Sequence, residues 1–207
     1  MIKNLIFDFG GVVITIDQPQ AVRRFKEIGL LNAEQQLDPY TQSGIFGDLE
    51  RGVISAEEFR IRLGEIVGRE LKHEECGYAW RGYCGGLPER NLKTLLRLRT
   101  EGYRLILLSN TNPYMMEWAD SDSFDGNGHP VGYYFDAMYR SFELGFMKPE
   151  EIFFRHIIKE ENIMPCESLF VDDGLNNVKA AGKLGFHTYC PENGTDWTET
   201  IYEYLKR

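Results

Sequence analysis

Leu5-Ile6-Phe7 runs into a single aspartate, Asp8, and Phe9-Gly10-Gly11-Val12-Val13 follows at once. A short apolar run bounded by turn residues is the pattern of a strand buried on both faces of a parallel sheet. Such a strand delivers Asp8 to its carboxyl end, where open α/β sheets place their ligands. Gly10 and Gly11 then turn the chain sharply and let backbone N–H groups approach an anion. Alone, the stretch favours a plainer reading, an aspartate capping a turn.

Two later segments change that balance. Leu105-Ile106-Leu107-Leu108 is a second apolar run, ending in Ser109-Asn110-Thr111-Asn112. Ser168-Leu169-Phe170-Val171 is a third, ending in Asp172-Asp173. Between them, Gly145-Phe146-Met147-Lys148-Pro149 sets a lysine in a loop before a helix start. On these residues, in this order, the sequence resembles the haloacid dehalogenase superfamily of aspartyl phosphatases over nearly its whole length. Within it, Asp8-Phe9-Gly10-Gly11-Val12, Leu108 to Asn112 and Val171-Asp172-Asp173 are most similar to bacterial sugar-phosphate phosphatases of the α-D-glucose-1-phosphate phosphatase type.

Periodicity along the chain predicts strands alternating with helices, hence an α/β fold with a doubly wound parallel sheet. Helices are expected over Pro19–Gly29, after Asn32, and after the Ser55-Ala56-Glu57-Glu58 capping signature. Between residues 16 and 86 no strand pattern is found, and a simple crossover needs far fewer residues. We therefore expect a helical cap at 16–86 inserted into a core formed by 1–15 and 87–207. Beyond it, helices are expected at Pro88–Thr100, from Asn112-Pro113, at Pro149–Glu161 with Ile152, Phe153, His156 and Ile157 inward, at Leu175–Leu184 and at Thr198–Leu205. Strands are expected at Asp136–Ser141 and Phe186–Cys190, and Asp120–Gly132 reads as a mobile surface loop.

Composition narrows the partners. The formal net charge of −9, with no basic cluster, argues against nucleic acid or a membrane surface. No apolar run approaches membrane-spanning length, and Met1-Ile2-Lys3-Asn4 leads straight into the first strand, so no signal peptide is expected. Cys76, Cys84, Cys166 and Cys190 lack C-x-x-C spacing and read as reduced thiols of a cytoplasmic protein. The four histidines show no zinc-site spacing. The chain is expected to act as a monomer or homodimer.

The resemblance assigns roles. Asp8 would be the nucleophile, forming an aspartyl-phosphate. Asp8, Asp173 and the Gly10 carbonyl would hold Mg²⁺, with Asp172 and Asn177 supporting the metal from behind. Ser109 and the N–H groups of Phe9, Gly10 and Asn110 would bind phosphate oxygens, and Lys148 would bridge Asp8 and the phosphate. The implied activity is hydrolysis of a small phosphorylated metabolite, a sugar phosphate in the first instance. A 2-haloacid dehalogenase is the alternative enzyme, but such enzymes use no metal, and Asp172-Asp173 would then crowd Asp8 with unneutralised charge. A catalytically silent binding domain is the third reading.

One departure matters. Most phosphatases of this superfamily carry a second aspartate two residues after the nucleophile, which protonates the leaving oxygen. Here that position is Gly10. Without that acid, rates are expected to depend steeply on the leaving group, favouring sugar 1-phosphates, and Asp17 is a candidate substitute. Phe46, Trp80 and Tyr83 are candidates to face the substrate from the cap.

Overall fold

The computed structural model describes residues 1–38 and 43–206. In chain order the elements begin with β1 (Asn4–Phe7), β2 (Thr15–Ile16), α1 (Gln18–Glu27), α2 (Ala33–Gln36), α3 (Gly44–Glu50), α4 (Ala56–Val67), α5 (His73–Trp80) and β3 (Cys84–Gly86). They continue with α6 (Glu89–Thr100), β4 (Arg104–Ser109), α7 (Pro113–Ala119), β5 (Ala137–Arg140) and α8 (Ser141–Leu144). Last come α9 (Glu151–Glu160), β6 (Ser168–Val171), α10 (Leu175–Lys183), β7 (His187–Tyr189) and α11 (Ile201–Leu205).

Five strands form one parallel sheet in the order β5-β4-β1-β6-β7. This is the expected doubly wound α/β architecture. β1 lies in the middle, with Phe7 in register with Leu107 of β4 on one side and Val171 of β6 on the other. The strand order reverses direction at β1, so the crevice at its carboxyl end is the natural ligand site. Side chains alternate across the sheet. Leu5, Phe7, Leu105, Leu107, Leu169 and Val171 join one core, while Ile6, Ile106, Leu108 and Phe170 join a second with Phe153, Phe154, Ile157 and Ala181. Both faces are dry, which is why these strands read as continuous apolar runs.

The turn after β1 is pinned from below. Asn91 donates to the carbonyls of Val12 and Val13, and the Trp197 indole donates to Val12 at 2.8 Å. Residues 18–83 carry α1 to α5, whose centre is an aromatic cluster of Phe25, Phe46, Phe59 and Trp80 with ring centroids 5.3–5.8 Å apart. Tyr114 of α7 ties this segment to the sheet side: its ring packs on Phe59, and its hydroxyl donates to the Ala56 carbonyl at 2.7 Å.

The structure departs from the sequence expectations at a few points. A short antiparallel pair, β2 with β3, brackets the helical segment where no strand was expected, because two- and three-residue strands carry no readable alternation. In α9 the inward residues are Phe153, Phe154 and Ile157, while Ile152 is exposed. Residues 120–132 are irregular but tethered. Phe124 is buried against Phe9 and Trp118, and the Asp125 carboxylate accepts from the Asn127 and His129 N–H groups and the Tyr134 hydroxyl.

Phe46 is fully buried in the aromatic cluster. Phe46→Ala should therefore lower stability by about 3–5 kcal/mol in urea denaturation, while the folded fraction keeps its KM.

Candidate active site

Asp8, Ser109-Asn110 and Asp172-Asp173 leave the carboxyl ends of three adjacent strands, so the sheet itself sets their spacing. The Asp8 N–H continues the ladder by donating to Val171. Gly11 then takes a left-handed backbone (φ +76°), and a Cβ there would sit 2.1 Å from Asp173 Oδ2. Any side chain at Gly11 would displace the Asp173 carboxylate. The glycine serves close approach to an acid as much as turning.

Lys148 is buried, and its ammonium meets three acceptors: Asp8 Oδ1 at 2.8 Å, Asp172 Oδ2 at 2.7 Å and the Leu108 carbonyl at 2.9 Å. All three of its hydrogens are engaged by protein, so Lys148 bridges Asp8 to Asp172 where sequence reasoning had it bridging Asp8 to phosphate. Burial works to lower its pKa, but Asp172 and Asp8 outweigh that and raise it. The lysine is held in place by the Asn110 side-chain amide, which accepts from the Lys148 N–H and donates to the Lys148 carbonyl, both at 2.8 Å.

Asp172 is completely buried and consumed by structure. Beyond Lys148 it accepts from the Gly174 N–H at 2.7 Å and from Asn177 Nδ2 at 3.0 and 3.2 Å. Asn177 thus orients Asp172 directly. Asp8 Oδ1 accepts from Lys148 and from the Phe9 N–H at 2.6 Å, leaving Oδ2 without a hydrogen bond among the described residues. Oxygens of Asp8, Asp172 and Asp173 lie within 4.8 Å of one another. Three carboxylates against one ammonium leave an excess of negative charge. Burial, with added repulsion from Asp172 and Asp173 and relief from Lys148, pushes Asp8 up to about 8. Burial and Asp172 push Asp173 to about 6. An oxygen-only donor set with surplus charge fits a hard divalent cation. With Asp172 occupied, Asp8 and Asp173 are the carboxylates that can hold one.

These groups open into a cavity of about 290 Å³, lined on the sheet side by Asp8, Phe9, Gly10, Ser109, Asn110, Lys148, Asp173 and Asn177. Trp80 and Tyr83, from the helical segment, line the same cavity as expected, but Phe46 does not. Asp17 is absent from the wall as well. Its carboxylate caps α1 by accepting from the Gln20 N–H at 2.8 Å. Sequence reasoning missed two contributors. Asn193 grips β2, accepting from the Ile16 N–H and donating to the Ile16 carbonyl. Glu50, at the end of α3, presents a carboxyl to the cavity. It sits in a short helix with no motif around it, and only the tertiary fold reveals it.

A model of the haloacid dehalogenase-like hydrolase family matches residues 2–185. The chain is 47% identical over 97% of both lengths to a D-ribitol-5-phosphate phosphatase of Bacteroides thetaiotaomicron. Among solved structures, a predicted HAD-like family hydrolase from Porphyromonas gingivalis superimposes with a TM-score of 0.95 at 42% identity, covering 100% of this chain and 99% of that one. A HAD family enzyme of B. thetaiotaomicron in complex with magnesium and inorganic phosphate gives 0.89 at 36% identity, covering 97% and 100%. The chain belongs to the haloacid dehalogenase-like hydrolase family.

Two outcomes follow from the site's electrostatics. Lys148→Met strands two buried carboxylates and should cost about 3–5 kcal/mol in urea denaturation near neutral pH. A solvated surface lysine would cost nothing measurable. Asp8 and Asp173, raised from 3.8 to about 8 and about 6, and Glu50, raised from 4.5 to about 8, each hold their proton longer in the folded state. Their stabilising contribution is full below the unfolded value and is lost as pH rises through the folded one. The melting temperature of the metal-free protein should therefore fall between about pH 5 and about pH 8, and Mg²⁺ should restore more of it at the alkaline end.

Proposed function

We propose that this member of the family is a Mg²⁺-dependent phosphoric monoester hydrolase acting on a small sugar or polyol phosphate. The observation that carries the reading is the cluster at the strand ends: a carboxylate with one open oxygen, held by a buried lysine, beside a second carboxylate and a hydroxyl in one cavity. Asp8 Oδ2 attacks phosphorus, and an aspartyl-phosphate forms on Asp8. Asp8, Asp173 and the Gly10 carbonyl would hold Mg²⁺, whose charge, when bound, offsets repulsion between a carboxylate and a dianionic phosphate. Ser109 and the N–H groups of Phe9, Gly10 and Asn110 bind the phosphate oxygens. Lys148 fixes the Asp8 carboxylate through Oδ1 and works against the upward pull of burial on its pKa, so its role is to position the nucleophile.

The substrate side rests on the helical segment and on kinship. Residues 16–86 act as a cap over a core of 1–15 and 87–207, contributing Trp80 and Tyr83 to the wall. Kinship to a D-ribitol-5-phosphate phosphatase supports an ester of a primary alcohol, ahead of the anomeric 1-phosphate suggested by motif resemblance. None of the described helices is long and apolar enough to cross a membrane. The free thiols fit work in the reducing cytoplasm.

Asp8→Asn should abolish turnover of a polyol phosphate while leaving the circular dichroism spectrum and melting profile of a folded protein. Wild-type activity should disappear in EDTA and return on adding Mg²⁺. Undiminished activity in the chelator would overturn the metal mechanism.

A further inference from the structure

The leaving group of a primary alkyl phosphate is a strongly basic alkoxide, so its departure needs a proton. Gly10 stands where the family's usual acid would be, and Asp17 is occupied as a helix cap. Another group in the cavity must supply the proton. Among the described residues, the titratable side chains on the wall are Asp8, Glu50, Tyr83, Lys148 and Asp173. Asp8 bonds to phosphorus, and Asp173 lies against Gly11 with the metal-holding oxygens. The hydrogens of Lys148 are committed to three acceptors, and the Tyr83 hydroxyl donates to the Asp38 carbonyl at 3.3 Å. Glu50 remains.

We propose that Glu50 is the general acid that protonates the leaving oxygen and, once ionised, the base that activates water. The proposal rests on the phosphatase reading above.

Three features support it. Glu50 comes from the helical wall, whereas Asp8 comes from the sheet. In-line displacement puts the leaving oxygen on the far side of phosphorus from Asp8, away from the strand end that carries the nucleophile. Secondly, the Glu50 side chain makes no hydrogen bond or ion pair with another described residue, although its backbone is firmly held. The Ser141 hydroxyl donates to the Glu50 carbonyl at 2.6 Å and accepts from the Thr111 N–H at 3.0 Å, tying Glu50 to the chain just past Ser109. One residue on, Arg51 pairs with Glu150 at 2.6 Å. At Gly52 (φ +71°) a Cβ would fall 2.0 Å from the Phe142 carbonyl oxygen, so α3 ends in direct backbone contact with α8. The carboxyl is therefore free to bond a ligand and fixed relative to the phosphate-binding turn. Thirdly, burial raises the Glu50 pKa above the usual carboxylate range, the direction a proton donor needs.

The chemistry balances. Asp8 Oδ2 forms a bond to phosphorus as the phosphorus–alkoxy bond breaks. That electron pair goes to the leaving oxygen, which takes the Glu50 proton and departs as a neutral alcohol. The Glu50 carboxylate then accepts a proton from water, whose oxygen attacks phosphorus and breaks the Asp8–phosphorus bond. Inorganic phosphate, ionised Asp8 and protonated Glu50 result.

The test measures kcat/KM, which reports the first phosphoryl transfer, with saturating Mg²⁺. Substrates are ethyl, chloroethyl, trifluoroethyl and p-nitrophenyl phosphate, none carrying a free hydroxyl that Glu50 could recognise. In the wild type the dependence on leaving-group basicity should be shallow. In Glu50→Gln it should be steep, with a loss of about 100-fold or more for the ethyl ester and less than about threefold for the p-nitrophenyl ester, which needs no proton. Retained kcat/KM on the p-nitrophenyl ester is also the control for folding. Glu50→Gln losing equally on every ester, or matching the wild type on every ester, would overturn the proposal. So would a steep dependence in the wild type, a result that needs no variant. In both cases the phosphatase reading stands. A wild type with no Mg²⁺-dependent turnover of any ester removes that reading, and the role of Glu50 with it.

Discussion

The buried ammonium of Lys148 is the interaction on which the rest depends. Three adjacent strand-end loops bring acidic groups within a few ångströms of each other, in surroundings that screen charge poorly. One ammonium, bonded to Asp8, Asp172 and the Leu108 carbonyl, joins the ends of β1, β6 and β4. Removing a partner from such a buried set is far more damaging than its net contribution suggests, because the remaining charges lose the cation that compensates them. The surplus negative charge that remains is functional: it makes a site that a divalent cation can complete.

The apolar runs explain how so much charge is tolerated. The central strands β1, β4 and β6 are buried on both faces, Arg104 at the start of β4 apart, and polarity begins abruptly where they end. The helical segment adds little net charge but much shape. Its aromatic cluster makes it a solid body, and Tyr114 and Ser141 attach that body to the sheet side at separate points. A wall held in this way can offer the substrate a pre-set arrangement of groups, which favours selectivity over breadth.

How much of this was legible in the sequence follows from where each signal resides. Asp8, Ser109, Asp172 and Asp173 were visible because each ends an apolar run, a local pattern. Lys148 was visible through its place between those runs, but its partners were not, since three-way coordination arises only when distant strands meet. Asn110 was read for its N–H, whereas its side chain clamps Lys148; nothing local distinguishes an amide that faces a ligand from one that faces backbone. Asn177 was read as supporting a metal water and instead orients Asp172. Glu50 had no local signal at all, because a glutamate at a helix end is ordinarily solvated. Ile152 and Phe154 were exchanged by a small error of helical phase, which a ten-residue helix with apolar neighbours on two sides does not correct.

Asn193 has a consequence of another kind. Its amide accepts from the Ile16 N–H and donates to the Ile16 carbonyl, acting as a single rung of strand for β2 at the cavity's edge. Only a group that both accepts and donates can do this. The next residue is Gly194, with φ +80°, so no side chain shields the following amide nitrogen from attack on the Asn193 side chain. Loss of ammonia at such a pair would leave a carboxylate facing the Ile16 carbonyl, two acceptors opposed with no hydrogen between them. The seam that holds this edge closed therefore has a chemical age as well as a thermodynamic stability, and the two need not expire together.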